Sequence, residues 1–196
     1  MNQIIKTSEH VAKSDNILRE ANFRTEHAKL FEGLDEISAG YARLSARVNE
    51  TTQTAAEDEW NRIAAEYSKN PSDEQWATVS TADGKRALKD RYRGLNDLAI
   101  ETLKTYCAEK VAPFVLPLLE AARAVVDSHV AALGEVEQAA AEHVGVPYNA
   151  SYESYTILCL RTRLRTLDAV ISAVKHQPHS QGSPEQLLAE VLGFSK

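Results

Sequence analysis

Cysteine, proline, glycine and aromatic residues are all scarce in this chain of 196 residues, and each scarcity removes a class of structure. The two cysteines, Cys107 and Cys159, lie far apart inside helical patterns and cannot build a disulfide framework. They read as reduced, core-packed thiols of a cytosolic protein. Eight glycines and six prolines are too few to punctuate a fold of many short strands. The alternation of β-branched and aromatic residues that marks strands is also missing. No apolar run approaches the ~18 residues of a membrane span. The best, 111–119, contains Pro113 and Pro117 and is followed at once by Glu120, Arg123 and Asp127. Residues 1–6 lack the charged-then-apolar layout of a signal peptide. Together these absences predict a cytoplasmic protein without membrane association.

A basic excess is missing as well. The formal net charge is −6, whereas a general binder of nucleic acid or anionic membrane needs surplus Lys and Arg to meet phosphates. A modest negative charge serves solubility and names no partner.

What the sequence does contain is apolar residues at helical spacing. Phe23, His27, Leu30, Leu34, Ile37, Tyr41, Leu44 and Val48 alternate steps of four and three, which places them on one stripe of a helix. The pattern predicts a helical run from about Glu9, capped by Ser8, to Val48, with Gly33 and Gly40 as mild interruptions. After Thr51 and Thr52 the apolar face resumes out of phase at Trp60, Ile63 and Tyr67, which predicts a break or bend. Asn70 followed by Pro71 reads as a cap and first helical residue. The helix that follows would carry Trp76 and Val79, then Leu88, Tyr92, Leu95, Ala99, Leu103 and Tyr106. Pro113 and Pro117 each remove a backbone donor and predict a corner or kink near 113–117.

Two further rows share the first one's spacing. Val115, Leu119, Ala122, Val126, His129, Leu133, Val136 and Ala140 form one, ended by Gly145 and Pro147 as a left-handed cap and stop. Its richness in Ala and Val predicts the most buried helix. The other runs through Ile157, Leu160, Leu164, Leu167, Ile171 and Val174 from a start near Asn149 or Ser151. Leu158 and Val170 widen it beyond a two-strand seam, as packing inside a bundle requires. A polar loop at 175–182 precedes a short helix at 184–192, opened by Ser183 and Pro184. The expectation is a single all-α domain over 1–196. It would be an elongated, coiled coil-like antiparallel bundle of four to five long helices with a short C-terminal helix.

Motifs that carry chemistry are absent. A di-iron carboxylate bundle needs Glu-x-x-His on facing helices, and no histidine here has Glu three residues before it. His176 and His179 are the only closely spaced histidines, with Glu185 as the one nearby third ligand, short of what a zinc site requires. His27 and His129 lie on apolar rows and read as core histidines with hydrogen-bond partners. The chain has no Gly-x-Ser-x-Gly elbow, no Cys-x-x-Cys and no phosphate-binding loop; Gly84-Lys85-Arg86 lacks the flanking residues of one. No cofactor, metal or catalytic residue is predicted, and the chain reads as a non-enzyme.

Surface candidates remain. Lys85, Lys89 and Arg93 form one basic row, and Arg161 and Arg165, with Arg163 between them, form a second cluster. Arg86–Asp90 and Arg93–Asp97 spacings offer ion pairs that would neutralise part of the first. Tyr148, Tyr152 and Tyr155 gather beside the 145–147 corner, where tyrosine offers area with a polar tip. The leading function is a structural or assembly protein acting through helical contacts with protein partners, including copies of itself. A component of a viral or other supramolecular particle fits this profile. The alternatives are a helical nucleic-acid-associated protein using the basic clusters 85–93 and 161–165, and a helical ligand sensor or enzyme whose pocket is assembled from distant residues.

Overall fold

From Leu34 onward each described helix begins where the sequence supplies a cap or ends where it supplies a breaker, and no strand forms among the described residues. The computed structural model describes residues 23–148 and 154–192. In chain order its helices are α1 (Phe23–Glu26), α2 (Leu34–Glu50), α3 (Gln53–Lys69), α4 (Asp73–Val79), α5 (Ala82–Tyr106), α6 (Ala112–His143), α7 (Tyr155–His176) and α8 (Pro184–Leu192). Short 3₁₀ turns cover Ala28–Phe31 and Pro178–Ser180, and a π-turn covers Cys107–Val111. The protein is all-α, with helices packed as bundles in two compact units. One comprises residues 23–37 and the described residues from Glu109 to Leu192; the other is Ser38–Ala108.

The first unit is organised by the α6–α7 hairpin. Arg123 Nε meets Asp168 at 2.6 Å, Lys175 Nζ meets Glu120 at 3.1 Å, and the Ser154 N–H donates to Glu137 at 3.3 Å. These three pairings fix an antiparallel register. On the facing helices Val115, Leu118, Leu119, Ala122 and Val126 of α6 and Ile157, Leu160, Leu167, Ile171 and Val174 of α7 are buried. Phe23 and, from α8, Leu187, Leu188 and Leu192 complete this core. Arg163 donates from Nη2 to the Val191 carbonyl at 3.0 Å, satisfying one of the acceptors that the end of α8 leaves open. The α6 terminus is a Schellman cap: Gly145 takes φ +68° and the Val146 N–H reaches the Ala141 carbonyl at 3.0 Å.

The second unit is held by caps, close approaches and polar links. Thr52, Ser72 and Thr81 each accept a backbone N–H three residues on, opening α3, α4 and α5. Asn96 of α5 donates to the Val48 carbonyl at 3.0 Å and to Thr51 Oγ1 at 3.1 Å, tying α5 to the end of α2. Gly84 lies so near the Ala77 carbonyl and Thr78 Cα that a Cβ there would sit 2.0 and 2.7 Å from them. Gly40 likewise makes room for the Tyr106 ring. Tyr67 and Trp76 pack with ring centroids 5.5 Å apart. Among the described residues of this unit, Ala56 and Cys107 are the only hydrophobic side chains that are fully buried.

Four sequence expectations need correction or relocation. The Phe23–Val48 row does not lie on one helix. The helix ends at Glu26, a 3₁₀ turn follows, and Gly33 takes φ +90°, a left-handed conformation that stops the run before α2. Asn70 closes α3 instead of opening the next helix, because Ser72 is the better acceptor one turn before Gln75. The single helix expected from Pro71 is two, since Thr81 caps a new one at Ala82. Helical structure continues through Pro113, tolerated in the first turn of α6, and through Pro117, while the irregularity is the π-turn at Cys107–Val111. A break follows α2 as expected after Val48, the loop expected at 175–182 lies at 177–183 because α7 runs on through Lys175 and His176, and α8 has the predicted bounds. The Ser8 cap, the Glu9 start, and the starts at Asn149 or Ser151 lie outside the described residues.

Candidate docking surfaces

Burial along each apolar row is uneven, and the exposed stretches define the candidate sites. On α6 the row is buried from Val115 to Val126, half-buried at His129 and Leu133, and open at Val136, which is 65% exposed. The Glu137–Ser154 pairing puts Val136 level with the start of α7, where Tyr155 and Leu158 are also exposed. Val144, Val146 and Tyr148 continue the exposed apolar set at the end of α6. A groove of about 570 Å³ runs from Tyr155 and Leu158 along α7 to Val191 of α8, with Thr162, Arg163 and Glu190 as its polar lining.

In the second unit a smaller groove of about 260 Å³ lies between α2 and α5. Leu44, Leu95, Leu98, Ala99 and Thr102 form its apolar floor, and Arg47 stands at its edge. Leu95 is 43% and Leu98 65% exposed. Leu98 directly precedes Ala99 and so stands about 100° around the helix from it, off the inward stripe of Leu88, Tyr92, Ala99 and Leu103, where the unit leaves it exposed.

The predicted basic row is engaged inside its own unit. Lys85 Nζ sits 3.9 Å from the Trp60 ring centroid, Lys89 Nζ is 2.9 Å from Glu57, and Arg93 is 3.6 Å from Asp90. The hydrogen bond from Lys89 holds the Glu57 carboxyl below its ordinary range. The Arg93 contact uses Asp90 at i−3 in place of the expected Asp97. Arg161 and Arg165 are exposed on α7 in the first unit. Of the tyrosines, Tyr148 and Tyr155 are exposed, and Tyr152 lies outside the described residues. The Cys159 thiol is hydrogen-bonded to the Tyr155 hydroxyl, which pushes the phenol above its ordinary value.

His27 and His129 have structural partners. His27 Nδ1 is 3.1 Å from the Phe23 carbonyl and His129 Nδ1 is 2.8 Å from the Val125 carbonyl. Both side chains line one shallow groove with Glu26 and Ser128, a convergence that spacing on two separate helices could not reveal. Among the described residues no group of three His, Cys, Asp or Glu side chains could hold a metal ion. Burial pushes the Cys107 thiol up to about 11, which keeps it protonated and unreactive at neutral pH. No described helix is long and apolar enough to cross a membrane. Comparison with family models, with curated proteins and with solved structures returns no match to this chain.

Proposed function

We propose that this chain is a non-enzymatic structural or assembly protein that works through helical contacts with protein partners. One observation carries the reading. Large apolar side chains stay in water on defined helical faces: Leu95 and Leu98 on α5, and Val136, Tyr155 and Leu158 around the α6–α7 hairpin. Grouped exposure of this kind marks surfaces meant to be covered, whereas single exposed apolar residues need no explanation. A place in a viral or other supramolecular particle, made in the cytoplasm, is the most specific form of the proposal. The nucleic-acid alternative draws little support from Lys85, Lys89 and Arg93, whose charges already meet Trp60, Glu57 and Asp90.

Covalent surface labelling tests the reading. The purified chain is compared with the same chain in its native-size fraction from the producing cell. Protection of Tyr155 and Leu158, or of Leu95 and Leu98, in the native fraction supports assembly. Full labelling of both faces in the native fraction means that neither is covered, and the proposal falls. A salt-sensitive mobility shift of DNA or RNA would favour the alternative instead.

A further inference from the structure

The α5 face of the second unit carries a more specific inference, which rests on the assembly reading above: we propose that it binds the α5 helix of a second copy of this chain, antiparallel, across a two-fold axis near Asn96. The outward stripe of α5 contains Ala87, Arg91, Gly94, Leu98, Glu101 and Thr105, residues three or four apart and so on one side of the helix. All six are exposed, and Leu98 heads the apolar floor shared with Leu95 and with Leu44 of α2.

The order of residues along this stripe is self-complementary when reversed. An antiparallel partner centred on Asn96 brings Leu98 of each copy level with Gly94 of the other. A Cβ built at Gly94 would meet nothing within 4 Å, so packing inside the unit does not call for glycine there. The missing side chain leaves a notch that a leucine can fill. In the same register Arg91 of each copy stands level with Glu101 of the other, and Ala87 with Thr105. The charged contact therefore forms twice, at equal distances from the axis, as an isologous interface requires. A parallel pairing in register sets Arg91 against Arg91 and Glu101 against Glu101. Within the single copy Arg91 lies near Glu59 of α3, whose carboxyl it helps hold below its ordinary range, and Glu101 is 2.7 Å from Lys104 of its own helix; both are exposed contacts of little strength that the intermolecular pair can replace. With α2 beside each α5, the two copies form a four-helix layer around Leu44, Leu95 and Leu98, the arrangement that apolar helical stripes adopt in bundles.

Sedimentation of the full chain over roughly a hundredfold range of concentration reads the association directly, since a dimer dissociates on dilution. The wild type is expected to move from monomer to dimer. Leu98→Asp should keep the monomer's helicity and melting and weaken association about tenfold or more, the loss expected for a central apolar anchor. Arg91→Glu and Glu101→Arg should each weaken it, and the double variant R91E/E101R should recover it, because the pairs re-form with signs exchanged. A wild type that stays monomeric overturns the proposal, as does a dimer indifferent to Leu98→Asp. A dimer weakened by both single swaps and not recovered by the double overturns the antiparallel pairing. Monomeric behaviour of the purified chain leaves the labelling comparison of native and purified material as a separate readout of the broader reading.

Discussion

The two units use the same kind of sequence to reach different degrees of closure. In the first, the α6 row is covered over its N-terminal half by α7, with Phe23 and α8 completing that core, and Leu118, Leu119, Leu160 and Leu167 reach zero exposure. In the second, α5 packs on α3 and α4, yet Trp60, Ile63, Tyr67, Leu88 and Tyr92 all remain half-exposed. The difference lies in how many flanks of a stripe meet another helix and in which side chains face inward. Leu, Val and Ile have nothing to gain from water, whereas Trp and Tyr serve as amphipathic walls, and Lys85 lies across the Trp60 ring. The first unit is held by burial and the second by caps, glycine contacts and polar links.

The sharpest break of this comparison is a charge placed in the better core. Leu119→Asp would bury an unpaired carboxylate at a position with no exposure, and a loss above about 4 kcal/mol is expected, enough to abolish cooperative melting of the first unit. Urea titration followed by circular dichroism measures it. The same change at exposed Leu98 should stay within about 0.5 kcal/mol for the monomer. Wild-type melting of Leu119→Asp would mean that the hairpin does not form a core there.

A second test exploits the glycines that hold the other unit. At Gly84 an added Cβ meets backbone atoms of α4, which cannot move aside as a flexible side chain would. Gly84→Ala should therefore cost about 1–3 kcal/mol, as overpacking does, and raise amide exchange through α4 and the first turns of α5. Gly94→Ala, with open space around it, should stabilise the monomer by up to about 1 kcal/mol through helix propensity. If the two changes have the same sign, the α4–α5 corner is not packed as described.

Helical periodicity made the all-α class legible, along with the α6 and α7 rows, the Gly145 cap and the α8 boundaries, because each is a local property of spacing and end residues. The Phe23–Val48 row misled because heptad spacing says which residues could share a stripe and nothing about whether the backbone stays helical between them. Gly33 decided that by turning left-handed. Ile37 and Leu133, both seam positions, are only half-buried, since a row is covered only as far as its partner helix extends. The basic row at Lys85, Lys89 and Arg93 was visible in sequence, but its partners Trp60 and Glu57 come from another helix and could not be. Leu98 was missed because it lies off the inward stripe. An apolar residue out of phase with its helix was the available signal for the α5 face.

Thiol chemistry separates the two units in a different way. Cys107 has no exposure in the second unit, and burial raises its thiol from the ordinary 9.0 to about 11. Cys159 is half-buried beside Tyr155 in the first. A thiol reagent at neutral pH should modify Cys159 readily and Cys107 only through opening of the second unit, so the Cys107 rate measures that opening. The sign of its pH dependence follows from linkage. The folded thiol holds its proton more tightly than the unfolded one, so the stabilisation it contributes is complete below pH 9 and is lost as pH rises through about 11. Tyr41, raised by burial and by the neighbouring Cys107, adds to the loss in the same direction. Protection of Cys107 corrected for thiolate fraction should thus decline over that window, and in Cys107→Ala the alkaline loss of second-unit stability, followed by amide exchange, should shrink to the part due to the burial of Tyr41. Equal labelling of both cysteines at neutral pH would show that the second unit does not bury Cys107. The contrast between a unit closed by apolar packing and one closed by polar links would then have to be redrawn, with the second unit more open still.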